Sequence, residues 1–562
     1  MTEPERNVMV PERGTAGPEV DAAGSQRRPA SEEPGPSQTP ARPAWVGACA
    51  GVVAAGAALA AAELPTALAG ERTGAVTAVG NEFIDRFAGS LKDLAVELFG
   101  QNDKVALVTG IVVISLALGA ALGVTALRSL GRAAAGFVLF GMLGLWAQAV
   151  DPDVGLTLAV VSAVLGVVAG VATLALLLSP RVVAPAGGPA RGSGWSRGLD
   201  PREDPTVKTP DRRSFLLAAG AVGATAAVVG LGGRALRGRS SIEAQRQALV
   251  LPGPERATPV PDRGLLDTPG VSPYITPNDD FYKIDTALVT PQVNAESWRL
   301  RVTGLVDAPY ELTFDELVAM DLVEEPVTLA CVSNEVGGDL VGNASWLGVP
   351  LATVLERAAV RPEASQVVGR ATDGFTVGFP TEVGLDGRVA LVAVGMNGEP
   401  LPAAHGYPAR LVVAGLYGYV SATKWLTEIE LTRLEDFDAY WVPRGWAKEA
   451  PVKTQSRIDV PRGGDVPAGP VAVGGVAWAP ATGVSRVEVR VDDGPWQAAQ
   501  LGTAASGDTW VQWVYRWEAE PGEHTLRCRA IDATGEVQTA EESAPAPDGA
   551  TGHHAVTVTV TS

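Results

Sequence analysis

The sequence predicts a multidomain chain: an N-terminal α-helical transmembrane region, a central α+β domain and a C-terminal all-β immunoglobulin-like sandwich. Three observations carry this. Apolar stretches of about twenty residues, nearly free of charge, recur between residues 44 and 233, long enough to cross about 30 Å of hydrocarbon at 1.5 Å per residue. Residues 272–451 alternate short β-rich runs with one or two amphipathic helices. From residue 452 the pattern is strand and turn alone.

Residues 1–43 are rich in Pro, Gly, Ser and charge and lack apolar periodicity, so they bury too little to offset their ordering entropy and read as a disordered cytoplasmic tail. Spans are predicted at about 44–62, 105–127, 133–150, 154–179 and 215–233, within a transmembrane region of 44–239. Between the first two, Phe83, Phe87, Leu91, Leu94 and Leu98 recur at helical spacing and predict an amphipathic helix over 81–99. No ionisable residue falls inside the first four spans as bounded, so no proton or ion path is indicated.

Basic residues set the orientation. Arg128 and Arg132 share one short loop and a cluster from Arg181 to Arg213 follows the fourth span, whereas Asp151-Pro-Asp153 has none; the basic loops belong in the cytoplasm. Asp211-Arg212-Arg213-Ser214-Phe215-Leu216 reads either as a twin-arginine export signal or as the basic flank of the fifth span. Either way the remainder of the chain lies outside the cytoplasmic membrane, although Arg234, Arg237 and Arg239 stand on the outer side against the rule. Residues 240–271 read as a Pro-rich linker.

A formal charge of −19 excludes nucleic acid as a partner, because that role needs a basic footprint. Only 19% of the 562 residues are charged, and a mean hydropathy of +0.15 points to the lipid bilayer instead.

In the central region, Val327 to Val332 is a short β-branched run, broken into a loop by Asn334 and Gly337-Gly338. Cys331 therefore sits where a strand ends, a position from which a scaffold can present a reactive side chain, although a lone cysteine in an apolar run is more often an inert core residue. Leu351, Val354, Leu355 and Ala358 mark the clearest apolar helix face. In the C-terminal region Val487, Val489 and Val491 alternate with Arg486, Glu488 and Arg490 ahead of Asp493-Gly494, and Leu526, Cys528 and Ala530 alternate later.

The surroundings of Cys331 carry a resemblance. In order along the chain stand Thr276-Pro-Asn278-Asp-Asp-Phe281-Tyr282, Trp298-Arg-Leu-Arg-Val-Thr-Gly304, Leu312-Thr-Phe-Asp-Glu-Leu317, Trp346-Leu-Gly-Val-Pro-Leu351, Met396-Asn-Gly-Glu-Pro-Leu401, His405-Gly-Tyr-Pro-Ala-Arg410 and Tyr417-Gly418 followed by Lys424-Trp425. This series resembles the sulfite oxidase family of molybdopterin-dependent oxidoreductases, including its bacterial periplasmic methionine-sulfoxide reductase branch. Val484-Ser-Arg-Val-Glu-Val-Arg-Val-Asp-Asp-Gly-Pro-Trp496 resembles that family's C-terminal dimerisation domain, which implies a homodimer.

The resemblance implies a sulfite-oxidase-type molybdopterin domain over 272–451, an immunoglobulin-like domain over 452–562, and a molybdenum-molybdopterin cofactor with Cys331 as the metal's thiolate ligand. It implies cofactor-binding roles for Asn278, Phe281, Tyr282, His405, Arg410 and Lys424, and two-electron oxygen-atom transfer on a small sulfur or nitrogen oxo compound as the reaction. Two departures bear on substrate. Where sulfite oxidases carry an Arg-Asn-His triplet that helps hold the sulfite dianion, this chain has Lys283-Ile284-Asp285-Thr286. Ser333-Asn334-Glu335-Val336 replaces the Asn-Arg-Arg that often follows the metal cysteine.

The four histidines, His405, His524, His553 and His554, all lie outside the predicted spans, and Met142 is the only methionine within one. The membrane region therefore lacks a histidine pair for haem, and electrons are expected to pass to or from a separate carrier: a cytochrome, a haem membrane protein or a quinone. Other uses of the same residues stay open at this point. Cys331 could act as a nucleophile with His405 as its base, the domain could be a cofactor-free envelope scaffold, or Cys331 could pair with Cys528.

Overall fold

The computed structural model describes residues 43–69, 73–84, 86, 103–151, 154–179, 216–217, 219–225, 242–261 and 268–562. The N-terminal tail, most of the amphipathic stretch over 81–99, the basic segment from Arg181, the paired Arg212-Arg213 and Arg234, Arg237 and Arg239 lie outside the described residues. So does most of the fifth predicted span, of which 216–217 and 219–225 are helical.

Among the described residues, four helices are long and apolar enough to cross a membrane: α1 (Ala44–Leu68), α2 (Asp103–Ala126), α3 (Leu130–Val150) and α4 (Leu156–Leu177). α1 packs against α2 and α4, and α3 against α4. Gly47 and Gly51 of α1 face Gly119 and Gly123 of α2 so closely that a Cβ at Gly51 would lie 2.0 Å from the Gly119 carbonyl oxygen. Without a hydrophobic driving force between helices in lipid, this small-residue spacing lets backbones meet and dispersion forces act. The sequence places the end of the first span at Ala62, but α1 continues through Glu63 and Pro65 to Leu68. An ionisable residue thus does lie in a long apolar helix. Its carboxylate is spoken for, since Glu63 Oε1 accepts from the Val76 N–H at 2.9 Å and so caps the short helix over 75–84.

The central region holds two sheets and a large core. Its strands are β1 (Arg256–Ala257), β2 (Arg299–Gly304), β3 (Tyr310–Thr313), β4 (Val323–Ala330), β5 (Val341–Pro350), β6 (Gln366–Ala371), β7 (Thr376–Pro380), β8 (Ala390–Met396), β9 (Glu399–Pro400), β10 (Arg410–Val413) and β11 (Leu426–Thr432). One sheet runs β1-β4-β5-β8-β10 with β9 on β8; the other runs β3-β2-β11-β6-β7. The helix α5 (Phe314–Val318) begins on a capping box in which Thr313 and Glu316 satisfy each other's backbone N–H. Helix α6 (Leu351–Ala358) buries Leu351, Val354, Leu355 and Ala358, the face its spacing predicts. β4 and β8 are antiparallel to β5 and β10, so the end of β4, the turn after β8 and the start of β10 gather at one end of the first sheet.

Downstream strands are β12 (Gln455–Val460), β13 (Gly464–Pro467), β14 (Gly469–Trp478), β15 (Val484–Val491), β16 (Gln497–Ala498), β17 (Gln500–Leu501), β18 (Val511–Ala519), β19 (Gly522–Asp532) and β20 (Ala555–Thr561). They form sheets β12-β14-β18-β17 and β13-β20-β19-β15-β16. Val473, Trp513 and Trp517 from the first meet Val487, Val489, Leu526 and Cys528 from the second, the packed inner faces of a sandwich. Val476, Trp478 and Trp510 instead join the core of the central region, so the sandwich docks on β4 and β5 through apolar contact. Two hydrogen bonds fix it there: Thr328 N–H donates to the Asp508 carbonyl at 3.0 Å, and Trp510 N–H to Thr328 Oγ1 at 2.7 Å.

Candidate active site

Strand β4 ends at Ala330, so Cys331 is the first residue past it, at the strand end where the sequence places it. Its N–H still donates to the Leu340 carbonyl at 2.9 Å, which closes the 331–340 loop at its base. Asn334 ties the loop from inside: its N–H donates to the Cys331 carbonyl at 3.1 Å and its Oδ1 accepts from Leu340 N–H at 2.8 Å. Gly337, at φ +81°, lies against the sandwich, where a Cβ would fall 2.2 Å from the His554 ring. Arg457 of β12 reaches the same loop. Its Nη1 donates to the Gly338 carbonyl at 2.7 Å, Nη2 to Ser272 Oγ at 2.9 Å and Nε to Asp459 Oδ1 at 2.7 Å. The loop that presents Cys331 is therefore shaped from both domains. None of Cys331, Cys49 and Cys528 is in a disulfide, so the Cys331–Cys528 pairing is not formed.

The structure gathers most of the other candidate residues around one aromatic cluster. Phe281 stacks on Tyr282 with centroids 5.2 Å apart and meets Trp346 and His405 edge-on at 5.8 and 5.6 Å. Burial first, then Cys331, push the Tyr282 phenol well above the usual range, and Arg410 opposes them. Arg410, the first residue of β10, lies over the Trp346 ring at 4.9 Å and donates from Nη1 to the His405 carbonyl at 3.1 Å. It is 4% exposed and has no carboxylate partner among the described residues. Burial pulls its guanidinium down to about 10.

His405 Nε2 lies 2.9 Å from the Asn278 carbonyl, which can only accept, so the Nε2 tautomer carries the proton. Nδ1 is then a bare acceptor, and it is buried with no partner. Burial first, then Arg410, depress the imidazole to about 3. A ring so hard to protonate is a weak base at neutral pH, which removes the support for a Cys331–His405 nucleophilic pair. The sign of its effect on stability follows. With the folded pKa below the unfolded value near 6.5, the unfolded chain binds the extra proton, so stability falls as pH drops from about 6.5 towards 3, by up to about 1.4 kcal/mol per pH unit. In His405→Gln that part of the acid slope is expected to vanish in denaturation curves taken between pH 6 and 4; an unchanged slope would show that other groups carry it.

Asn278 serves as a joint. Its Nδ2 donates to the Met396 carbonyl at 3.3 Å and to Glu399 Oε1, and its Oδ1 accepts from Asn397 Nδ2 at 2.8 Å. Asn397 (φ +54°) and Gly398 (φ +82°) form the tight turn between β8 and β9, which is why Asn-Gly stands in that motif.

Lys424 is 9% exposed and donates to Asp285 Oδ2 at 3.0 Å and to the Ala404 carbonyl at 3.1 Å. Gly406 (φ +108°) makes this approach possible, since a Cβ there would sit 3.0 Å from Lys424 Cα and 3.1 Å from Arg410 Cβ. Trp425, unusual for a bulky residue at φ +51°, turns the chain after Lys424, its indole N–H donating to the Ala403 carbonyl at 2.8 Å. Asp373 stands near the Asp285–Lys424 pair; its carboxyl is pushed up to about 6 by burial first and then by Asp285. Sequence reading notes Asp285 only as the residue standing where an arginine is missing. It assigns no role to Asp373, Arg457 or His554, whose partners are remote along the chain and leave no periodic signal.

This arrangement defines the class: a molybdopterin-dependent oxidoreductase of the sulfite oxidase type. Residues 287–441 match the oxidoreductase molybdopterin binding domain family. The chain is 34% identical over 176 residues to the uncharacterized oxidoreductase YuiH of Bacillus subtilis, covering 31% of this chain and 85% of that protein; it belongs to the sulfite oxidase family of molybdopterin-binding oxidoreductases. It is 29% identical over 316 residues to the mitochondrial sulfite oxidase of Rattus norvegicus, covering 47% of this chain and spanning 57% of that enzyme's length. The sulfane dehydrogenase SoxCD from Paracoccus pantotrophus matches with 24% identity over 52% of this chain and 86% of its own, at a TM-score of 0.45.

The family's cofactor is molybdenum-molybdopterin, and the residues present fit it. A fully buried guanidinium without a carboxylate suits a phosphate. The orphaned His405 Nδ1 and the buried, unpartnered Asn334 Nδ2 offer an acceptor and a donor to a polar heterocyclic group.

Proposed function

We propose that the protein is a membrane-anchored molybdenum-molybdopterin oxidoreductase that transfers oxygen atoms to or from a small sulfur or nitrogen oxo compound at the outer face of the cytoplasmic membrane. The observation that carries the reading is the site itself: Cys331 at a strand end, the buried Arg410 with no carboxylate partner among the described residues, and the unpartnered Nδ1 of His405. Residues 272–451 would be the catalytic domain and 452–562 the domain that braces it, with dimerisation as a further role of the sandwich.

Cys331, deprotonated, would offer a soft sulfur donor to the metal. Arg410 supplies a fixed positive charge and a forked donor for the cofactor's phosphate, with Lys424 a second cation whose charge is shared with Asp285. His405 accepts a hydrogen bond at Nδ1, and Asn278 holds the imidazole in the tautomer that leaves Nδ1 open. Phe281, stacked on Tyr282 and edge-on to Trp346 and His405, would help exclude water from the site. When bound, the molybdenum centre supplies two-electron oxygen-atom exchange.

For the substrate, the occupied charge at Lys424 is informative. Asp285 is a carboxylate in the segment where the family's sulfite-binding arginine stands, and Glu335 follows the metal cysteine. Both disfavour a dianion and favour a neutral S-oxide or N-oxide. Support for the membrane reading comes from the bundle. Arg128 lies in the α2–α3 turn and Arg132 in the first turn of α3, whereas Asp151 lies at the opposite helix ends, beside Thr286, Leu288 and Phe375 of the catalytic domain. The test is a turnover panel on the purified full-length enzyme in detergent. Methionine sulfoxide and trimethylamine N-oxide, with a reduced dye, are expected to exceed sulfite, with a dye acceptor, by at least about tenfold in kcat/KM. Sulfite as the best substrate would sink the assignment.

A further inference from the structure

Gln148, in the last turn of α3, is 0% exposed, and neither its amide nitrogen nor its amide oxygen has a hydrogen-bond partner. A buried primary amide with both ends unmet is rare, because apolar surroundings do nothing to replace the water it has lost. The side chain lines a cavity of about 130 Å³ within the helical bundle. Apart from Ser115 its other walls are apolar, among them Ala58, Leu59, Phe137, Phe140 and Val167. One turn before Gln148, a Cβ on Gly144 would meet nothing within 4 Å, so the helix surface there faces open space.

We propose that this cavity binds the ring of a membrane quinone, with Gln148 as its polar anchor; this rests on the oxidoreductase reading and names its electron carrier. Three features select that chemistry. The volume matches one six-membered carbon ring, since an apolar cavity of about 150 Å³ admits benzene. The amide presents a donor and an acceptor together, so Nε2 can donate to the carbonyl of the oxidised ring and Oε1 can accept from the hydroxyl of the reduced one. A haem is disfavoured by the same site: the cavity is too small for a porphyrin, and the chain's histidines all lie at or beyond residue 405.

The position suits a carrier for this enzyme. Ala147 and Val150, from the same turn of α3, and Asp151 just past its end line a second cavity of about 200 Å³ that Thr286, Leu288 and Asp373 also line. Thr286 and Asp373 adjoin the Asp285–Lys424 pair, so the ring site backs onto the cofactor side of the catalytic domain. In the reductive direction the overall chemistry balances. The quinol loses two electrons and two protons to become the quinone, the oxide's bond to oxygen breaks, and that oxygen leaves with both protons as water.

The experiment uses the full chain in phospholipid nanodiscs and measures quenching of Trp146 and the other tryptophans by decylubiquinone, with an azido-quinone crosslink mapped by mass spectrometry. Saturable binding of one quinone per chain, crosslinked to α3 near Gln148, is expected. Gln148→Leu should weaken it by about tenfold, as loss of one buried hydrogen bond does, and Gly144→Leu, which fills the space, should abolish it. Gln148→Leu removes the unmet amide and should not unfold the bundle, so a well-folded variant that binds equally well overturns the proposal. Equal displacement by a ringless decyl compound does the same, because the cavity would then be an acyl-chain crevice. Binding is also measured in Cys331→Ser, where it should persist. A quinone site intact in a chain that proves to bind no molybdenum would overturn the oxidoreductase reading and leave the site standing.

Discussion

Cys331→Ser is expected to leave the protein folded and without molybdenum. The substitution changes one atom in a residue that is 8% exposed, and the loop's ties run through backbone atoms and Asn334, none of which depends on sulfur. Stability should therefore shift by less than about 1 kcal/mol. Metal retention should collapse, because a hard hydroxyl is a poor substitute for a soft thiolate, and removing a direct ligand should exceed the about 10- to 100-fold that changes in a ligand's supporting partners cost. Elemental analysis of parent and variant, both produced in a host that makes the pterin, checks this: about one molybdenum per chain against almost none. Equal molybdenum in both would remove Cys331 from the metal's coordination.

Arg410→Met should produce opposite effects on stability and on cofactor retention. In the cofactor-free protein the guanidinium is fully buried with only carbonyls and an aromatic face for company, so its charge is an uncompensated cost. A methionine of similar volume should leave the apo form equal or more stable, by about 1–3 kcal/mol. Cofactor retention should fall by at least about 100-fold, the loss of a charge-assisted fork onto phosphate. Arg410→Lys should restore charge without the planar fork and recover only part of the binding. Chemical denaturation of apo protein, paired with pterin content after gel filtration, separates the two effects. A variant less stable as apo protein and unchanged in pterin content would make Arg410 an ordinary structural residue.

What the sequence made legible was what short segments encode. Spans declare themselves by composition, α6 by the spacing of Leu351, Val354, Leu355 and Ala358, and the site by motifs in which each residue has a local job. Asn397-Gly398 is a turn, and Gly406 is an opening that lets Lys424 approach Arg410. What it hid depends on distant partners. Glu63 looks like the end of a span because it is charged, yet the helix continues, since Val76 N–H meets the carboxylate. Gln148 looks like a polar residue at a helix end, and only the packing of four other helical segments reveals that water is excluded from it. Lys283-Ile284-Asp285-Thr286 reads as a loss of an arginine, whereas Asp285 is the counter-ion of Lys424.

The brace of Arg457 and His554 on Gly337 and Gly338 has a temporal meaning. Both residues are translated well after Cys331, so a growing polypeptide carries the cysteine loop for some time with nothing leaning on it. Its final shape exists only once β12 and β20 are in place. With Cys331 in its proposed role, metal loading would wait for a finished polypeptide, and a chain truncated before residue 457 would make the thiol but not the setting that holds it.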